Sequence, residues 1–203
     1  DGGLARAPMV FRWIYGAGLS GTVNLEYSLD GGTNWQLIAG GVPITANAYT
    51  WNTTNRSATA LWRIVHVAAT DVVDEVFILN PNSFYVNDAW VDGDVFCSAP
   101  GTNSNRGIRP DAPAATVQDL LAFNDLEGGD TVYVDSGYYL LTNNIVIGPS
   151  DSGSLSKHMR IRGHMGTTNS TVFERANASN PSSFGFYVND SDLVQISDFV
   201  ISN

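Results

Sequence analysis

Two aspartates separated by one residue, Asp190 and Asp192, are the best cation ligands that the sequence offers. Calcium is a hard ion that prefers carboxylate and carbonyl oxygens, so an Asp-x-Asp pair suits it. The alternative is that the pair simply builds a corner, because Asn, Asp and Ser are frequent turn formers. Turn formation is the favoured interpretation. Calcium is the one cofactor that the sequence suggests, and otherwise no cofactor is expected.

Other chemistry-bearing side chains are scattered and lack partners at useful spacing. An acidic group at Asp71, Asp74 and Glu75 is interpreted as a solvated loop between strands, with calcium as the less favoured alternative. No histidine has Cys or carboxylate partners at metal-ligand spacing. Cys97 has no companion His/Asn motif, so we expect an inert thiol. The histidines and the remaining charged candidates are His66, His158, His164, Arg160, Arg162 and Asp198.

Residues Ser28, Asp30, Gly32 and Trp35 follow a Ser-x-Asp-x-Gly-x-x-Trp pattern. This spacing resembles the Asp-box, a hairpin motif of sialidase propellers that recurs around the propeller and lies on turns away from the catalytic pocket. The chain holds one copy. In a hairpin, Asp30 accepts hydrogen bonds from backbone amides, the glycines supply positive φ and Trp35 packs under the turn. The four residues are therefore predicted to form a structural hairpin, and no catalytic residue is predicted.

Composition restricts the protein classes that remain. The 203 residues are 43% hydrophobic and rich in Gly, Asn, Ser and Thr, which favours short strands over helices. The formal net charge of −10 comes without a basic stripe, which argues against nucleic-acid binding. No apolar stretch reaches the roughly 20 residues of a membrane span. Because the sequence begins at Asp1 without a leader, we expect a processed or excised piece of a longer protein whose export signal, if it had one, has been removed.

The first 80 residues contain short β-type runs bounded by Gly, Asn, Asp or Pro. The Ser28–Trp35 hairpin is followed by Tyr49-Thr50-Trp51, then by Leu61–Ile64, then by Phe77-Ile78. This order resembles the fibronectin type III-like or immunoglobulin-like sandwiches found as accessory modules in large secreted bacterial proteins. The resemblance covers residues 8–80. It departs at residues 52–54, where such modules often carry a proline. It implies an N-terminal β-sandwich at 1–80.

Beyond the Pro/Asn punctuation at residues 80–84 the pattern changes. A strand at Phe84–Val86 precedes a Gly/Asn-rich loop, two prolines, a short helix at Thr116–Phe123 and the run Gly129–Val134. This order resembles the opening of right-handed parallel β-helix proteins of the pectate-lyase-like superfamily. It implies a helix-capped β-helix segment at 81–203. The later apolar runs show period 2 and are separated by polar turns, as successive coils require.

The short helix has local signals of its own. Thr116 is placed to cap it, Asp119 follows three residues later, and Val117, Leu120 and Leu121 share one side. Gly128-Gly129 is predicted to end it. Such a helix would cover the first open end of a stack of coils, whose strand edges otherwise face water. Asn203 follows a coil strand without a closing cap, which indicates either a longer parent chain or a covering second copy.

The sequence therefore predicts an all-β protein with a sandwich and a β-helix segment. The leading functional hypothesis is a non-catalytic extracellular or cell-surface module, structural or adhesive, that serves as a subunit of a larger assembly or filament. Its expected partners are further copies or neighbouring domains, with polysaccharide as an additional partner. One alternative is the N-terminal part of a secreted polysaccharide lyase or glycoside hydrolase whose active site lies outside this chain. Another is a carbohydrate-binding module that uses exposed tryptophans, although core positions are favoured for most of them: Trp13, Trp35, Trp51, Trp62 and Trp90.

Overall fold

A computed structural model describes residues 3–175 and 182–202, and in these ranges the chain is built mostly of β-strands with one short α-helix. Residue contacts divide the chain into two compact units, Asp1–Pro81 and Asn82–Asn203. No helix within the described ranges has the length and hydrophobicity needed to cross a membrane.

The strands of unit 1 are β1 (Leu4–Ala5), β2 (Met9–Arg12), β3 (Thr22–Ser28), β4 (Gln36–Pro43), β5 (Ala48–Trp51), β6 (Ser57–His66), β7 (Ala69–Val72) and β8 (Phe77–Leu79). The larger sheet has the order β1-β8-β6-β3-β4, and β7 pairs with a second stretch of β6. Strands β2 and β5 form a separate antiparallel pair. The only parallel pairing in the described part of unit 1 joins β1 to β8.

The two sheets of unit 1 share one apolar core. Strands β2 and β5 contribute Phe11 and Trp51, and the larger sheet contributes Val23 and Leu25 among others. The ring of Phe11 stacks on Trp62 with centroids 4.5 Å apart, which joins the two sheets directly. Alternation along β3 explains this arrangement, because successive side chains of a strand point to opposite faces.

Strand β7 of unit 1 was not predicted from the sequence. Asp71 was expected on a solvated loop with Asp74 and Glu75, but it lies within β7, an exposed strand paired with the end of β6. Asp74 and Glu75 follow in the connection to β8. The loop expectation was therefore wrong for Asp71. Ala69 and Asp71 are of residue types that are depleted in strands, and here the hairpin turn at residues 67–68 brings β7 back along β6.

The strands of unit 2 are β9 (Ser83–Val86), β10 (Thr131–Val134), β11 (Gly137–Leu141), β12 (Ile145–Ile147), β13 (Met159–Arg162), β14 (Thr171–Arg175), β15 (Phe186–Val188), β16 (Val194–Ser197) and β17 (Val200–Ser202). They form three sheets with the orders β9-β10-β13-β16, β11-β14-β17 and β12-β15. Every pairing between these named strands is parallel. The chain therefore visits the three sheets in turn and then repeats the circuit.

The circuits stack their apolar side chains on one another. In the first sheet Phe84, Val132 and Ile161 occupy matching register positions and are fully buried. Aromatic rings fill the space between the second and third sheets, where Phe173 contacts Tyr139, Phe186 and Phe199 at centroid distances of 5.3–5.5 Å. Period-2 alternation places these residues inward and leaves polar residues such as Arg160 and Arg162 outward.

The helix α1 (Val117–Phe123) packs against β9 and β12, with Val117, Leu120 and Leu121 buried. At its N-terminus the hydroxyl oxygen of Thr116 accepts the backbone N–H of Asp119 at 3.0 Å. The helix ends at Phe123, as the predicted range has it, but Gly128-Gly129 lies beyond that end, so the prediction that these glycines stop the helix was wrong. The side chain of Asn124 donates instead to the carbonyls of Leu120 and Arg106, which satisfies a terminal carbonyl that a glycine turn would otherwise serve.

Candidate functional site

The last circuit of unit 2 presents an open sheet end, which we call the terminal edge. It consists of β15, β16 and β17. Within residues 3–175 and 182–202, each of these strands pairs on one side only, with β12, β13 and β14 respectively. A strand paired on one side leaves alternate N–H and C=O groups facing outward, available to another strand. The terminal edge is therefore a backbone surface capable of continued pairing.

The side chains of the terminal edge match this description. Val188 lies in register with Ile147, and Ile201 lies in register with Phe173. Ile147 and Phe173 are 0% and 1% exposed, whereas Val188 and Ile201 are 44% and 54% exposed. The same inward position is thus buried in one circuit and open in the next. The neighbouring strand causes the difference, since the residue types are equally apolar.

The turn that contains Asp190 and Asp192 lies beside this edge. The N–H of Asp192 donates to the Ser152 hydroxyl at 3.2 Å, and its carbonyl accepts the Gly153 N–H at 2.8 Å. Asp190 has a left-handed backbone with φ of 55°. Both residues are exposed, and the hydrogen bonds stack their turn on the preceding one. No group of three or more His, Cys, Asp or Glu side chains able to hold a metal occurs in the described ranges.

The outward charges of the last two circuits pair across strands. Arg162 donates to Asp198 at 3.0 Å, and Arg160 donates to the side-chain oxygen of Gln195 at the same distance. Both pairs are exposed, so each contributes at most about 1 kcal/mol. These residues reinforce the registry of β13 with β16.

A second feature of unit 2 is the loop that follows β9, held by a buried carboxylate. Asp135, fully buried at the end of β10, accepts the backbone N–H groups of Val95, Phe96 and Cys97 at 2.7, 2.8 and 2.6 Å. It also accepts the N–H of Ser136. Charge-assisted hydrogen bonds of this kind are about twice as strong as neutral ones. A single side chain therefore fixes the middle of the loop.

The buried amide of Asn87 holds the same loop from the other side. Its Nδ2 donates to the carbonyls of Trp90 and Ala99 and to the carboxylate of Asp94. Burial raises the pKa of Asp94, and the bond from Asn87 opposes that rise. The sequence analysis did not identify Asn87 or Asp135. A polar residue directly after each of two apolar strands was the available signal.

The thiol of Cys97 lies inside this network. Its Sγ is 3.7 Å from the carbonyl oxygen of Val86, and its side chain is only partly exposed. Burial raises the pKa of this thiol far above its ordinary value, and the nearby charge of Asp135 raises it further. Thiolate is the reactive form of cysteine, so this environment suppresses nucleophilic chemistry.

A groove of about 410 Å³ with a mixed polar and apolar lining lies between this loop and the turn before β14. We call it the loop groove. Its wall combines hydroxyl, amide and carboxylate side chains with one aromatic ring, one valine and two glycines: Asp92, Ser136, Gly137, Tyr138, Gly166, Thr167, Thr168, Asn169, Ser170 and Val172. Tyr138 is 57% exposed. Asp88 ties its backbone to that of the exposed Trp90, because one carboxylate oxygen accepts the Trp90 N–H and the other accepts the Tyr138 N–H.

Gly137 permits that bridge. A Cβ at this position would collide with the Asp88 carboxylate, and its backbone has a φ of +151°. Any other residue here would push Asp88 away from the Tyr138 N–H. The close approach of Asp88 therefore requires glycine at the start of β11.

The predicted hairpin residues of unit 1 form a tight hydrogen-bonded turn. Ser28 Oγ accepts the Gly32 N–H at 2.8 Å, and the Asp30 carboxylate accepts the Asn34 N–H at 2.8 Å. Trp35 donates its ring N–H to the Gly32 carbonyl and lies under the guanidinium of Arg63. The backbone bond from Asn34, helped by its side chain, lowers the pKa of Asp30 to about 2.

The remaining candidates are dispersed. Trp13 and Trp51 are buried and Trp35 and Trp62 are partly buried, so Trp90 is the one largely exposed tryptophan, at 71%. His66 contacts the Ser20 carbonyl in unit 1. His164 lies edge-on to Phe96 in unit 2, and His158 contributes its backbone carbonyl to Gly129.

The chain was compared with protein families, curated proteins and solved structures. No protein-family model, no curated protein and no solved structure matches the chain. The terminal edge and the loop groove are therefore the features of unit 2 that support a candidate function.

Proposed function

We propose that this chain is a non-catalytic structural and adhesive module of an extracellular or cell-surface assembly, joined to a second copy through the terminal edge. In this proposal unit 1 is a fibronectin type III-like or immunoglobulin-like sandwich, supported by its two sheets around one core. Unit 2 is the start of a right-handed parallel β-helix capped by α1, supported by the repeated parallel circuit through three sheets.

The observation that carries the proposal is the exposure of inward-facing residues on unpaired strands. Val188 and Ile201 are apolar, occupy positions that are buried one circuit earlier, and lie beside free backbone groups. Covering about half of such a side chain is worth roughly 1 kcal/mol each, since full burial is worth about 1.5–3 kcal/mol. New strand hydrogen bonds add to that gain.

A second copy is an occupant that meets both requirements. When two identical edges meet about a two-fold axis, their strands run antiparallel and each inward apolar surface faces its own equivalent. The contact is self-complementary, so it requires no other sequence. Because the first circuit is covered by α1, the proposed contact is edge to edge and closes as a dimer, which then serves as the building block of a larger body.

Adjacent residues of one strand provide a matched test. Val188 points inward and Tyr187 points outward, yet they are 44% and 45% exposed. Sedimentation velocity from micromolar to millimolar concentration should show wild-type dimers, loss of dimers in Val188→Lys, and retention in Tyr187→Lys. Circular dichroism checks that both variants fold. A wild-type chain that stays monomeric throughout, or equal behaviour of the two variants, would refute assembly through this edge.

The loop groove supports a second candidate function, the binding of a neutral glycan. Its hydroxyl and amide side chains match the hydrogen-bonding pattern of sugar hydroxyls, and the exposed face of Tyr138 suits packing on a sugar ring. Asp92 makes the groove acidic, which disfavours uronates. Titration calorimetry with neutral and uronate oligosaccharides tests this candidate. Tyr138→Ala should abolish binding of the neutral sugar, and Tyr187→Ala should leave it unchanged.

A further inference from the structure

Unit 1 has an open flank that the proposed assembly does not use. Two adjoining cavities, of about 740 and 200 Å³, lie between residues 9–16 on one side and the β7–β8 segment on the other. We call the combined space the side groove. Its floor is the core of unit 1, formed by Phe11, Trp13 and Trp62, and its rim includes Tyr15 and Leu19.

The apolar residues that unit 1 leaves in solvent concentrate at this flank. Eight large apolar side chains of unit 1 are exposed, and six of them flank the side groove or follow it directly in β7–β8: Val10, Ile14, Tyr15, Leu19, Val72 and Val76. Only Leu37 and Val67 lie elsewhere among the described residues of this unit. A concentration of exposed apolar residues beside a groove is typical of an interaction surface.

The backbone of β2 is free on the side of this groove. Strand β2 pairs only with β5 in the described structure, and just beyond it the Trp13 N–H donates to the Asn47 carbonyl. Along an antiparallel pair, hydrogen-bonded and non-hydrogen-bonded positions alternate. Met9 and Phe11 therefore form hydrogen bonds to β5, as Trp13 does to Asn47. Val10 and Arg12 direct their N–H and C=O groups away from β5. These outward groups form an unpaired ladder along the side groove.

The charges around the groove are unequal. Arg12 stands on the β2 side, whereas Asp71, Asp74 and Glu75 stand on the β7–β8 side. Within residues 3–175 and 182–202, none of the three carboxylates forms an ion pair with another side chain. An occupant with positive side chains therefore gains favourable electrostatics that a neutral or acidic one does not.

We infer that the side groove binds an extended segment of a partner protein, with alternating apolar and basic side chains, as an added strand on β2. The unpaired ladder supplies main-chain hydrogen bonds, the apolar floor accepts every second side chain, and the acidic rim selects the basic residues. Strand addition of this kind takes its affinity from the backbone and its specificity from alternate side chains. The inference concerns unit 1 alone and is independent of the terminal edge.

The probe is a synthetic nine-residue peptide in which valine alternates with lysine, and the control peptide replaces lysine with glutamate. Titration of the isotope-labelled full chain, followed by amide chemical shifts, should show saturable changes at Val10 and Arg12 with the lysine peptide. The glutamate peptide should bind about tenfold more weakly at low salt, and added salt should reduce the difference. Failure of both peptides to shift these amides would overturn the inference.

A proline pair tests the role of the backbone. Val10→Pro removes an outward N–H from β2 without removing a bond to β5, because Val10 and Thr50 face each other at a non-bonded position. Thr50→Pro removes the equivalent group from the opposite edge of the same two strands. Val10→Pro should weaken peptide binding about tenfold or more, and Thr50→Pro should leave it nearly unchanged. Equal effects of the two substitutions would refute strand addition at β2.

A third variant tests the acidic rim and the identity of the occupant. The combined change Asp71→Asn, Asp74→Asn and Glu75→Gln should abolish the preference for the lysine peptide while retaining residual binding. Retention of the full preference would contradict the charge argument. Sedimentation velocity of Val10→Pro tests the alternative that a second copy of this chain occupies the side groove. If that variant loses self-association, the groove binds another copy and the partner inference fails.

Discussion

Replacing Asp135 with asparagine tests whether one buried carboxylate holds the loop after β9. One oxygen of Asp135 accepts the N–H groups of Val95 and Ser136, and the other accepts those of Phe96 and Cys97. Asparagine keeps the shape but exchanges one oxygen for an NH2 donor. Whichever oxygen is exchanged, two backbone donors lose their acceptor, and the other two lose the charge that strengthens their bonds.

The size of the effect follows from those bonds. A hydrogen bond to a charged group contributes about 1.5–3 kcal/mol, whereas a neutral one contributes about 0.5–1.5 kcal/mol. Val95, Phe96 and Cys97 belong to the loop, so the substitution removes at least one charged loop bond and leaves any remaining ones neutral. Together these losses destabilise the closed loop by about 3 kcal/mol. Since about 1.4 kcal/mol corresponds to a factor of ten, the equilibrium constant for opening the loop should rise by about a hundredfold or more.

Cys97 reports this opening directly, because it is the only cysteine of the chain and its N–H bonds to Asp135. Alkylation by iodoacetamide, compared between native and denatured chain, gives the fraction of time that the loop is open. The rate should rise about a hundredfold in Asp135→Asn. Loss of the Asp135 charge also lowers the raised pKa of this thiol. The pH profile separates the effects, since alkylation through the open loop follows an ordinary thiol pKa in both proteins.

The control is Asp92→Asn, which removes an exposed carboxylate from the same loop. Its alkylation rate should stay within about twofold of wild type, because exposed surface charges contribute little to stability. Equal protection of Cys97 in Asp135→Asn and in wild type, or an equal effect of Asp92→Asn, would refute the role of the Asp135 carboxylate.

Three further predictions concern separate parts of the fold. The lowered pKa of Asp30 means that its carboxylate stabilises the hairpin above pH 3.8, and that this contribution disappears as the pH falls through about 2; carbon-detected NMR titration should show the pKa rising toward its ordinary value in Asn34→Ala. Thr116→Ala should lower the free energy of unfolding by about 0.5–2 kcal/mol in urea titrations, whereas Thr116→Ser, which keeps the capping oxygen, should restore most of it. Phe173→Ala should cost about 3–5 kcal/mol in the same assay because its ring is fully buried among three aromatic neighbours, and a cost below about 1 kcal/mol would contradict the packing described.

Features made by neighbouring residues were readable from the sequence. The hairpin at Ser28–Trp35 uses bonds between residues at most four positions apart, and Thr116 meets Asp119 three positions later. Residue types and spacing determine such contacts before any tertiary structure exists. The all-β composition was predictable for the same reason, since it follows from the frequency of short alternating runs and turn residues.

Contacts between distant residues were not readable. Asp135 meets the loop that lies 38–40 positions earlier, and its place directly after an apolar strand does not indicate which backbone groups it binds. Gly128-Gly129 was wrongly predicted to stop the helix because it matches a general C-terminal signal, whereas the amide of Asn124 serves the last turn by donating to Leu120 and also reaches Arg106. Strand β7 was missed because its pairing with β6, rather than its own propensity, makes it a strand.

The sequence of the terminal edge predicts that a further strand lies beside it, but it does not identify the chain that provides this strand. Val194 and Ile196 alternate with Gln195 and Ser197, in the same pattern as Met159 and Ile161 one circuit earlier. Both strands are therefore composed as interior members of a stack, with an apolar side that requires a neighbour. That side is buried only where a strand covers it from each neighbouring position. Among the described residues, β16 has a neighbour on one side only, which is β13. The alternation in the sequence indicates that a neighbouring strand is favourable. The Val188→Lys and Tyr187→Lys variants test whether a second copy of the chain provides that strand.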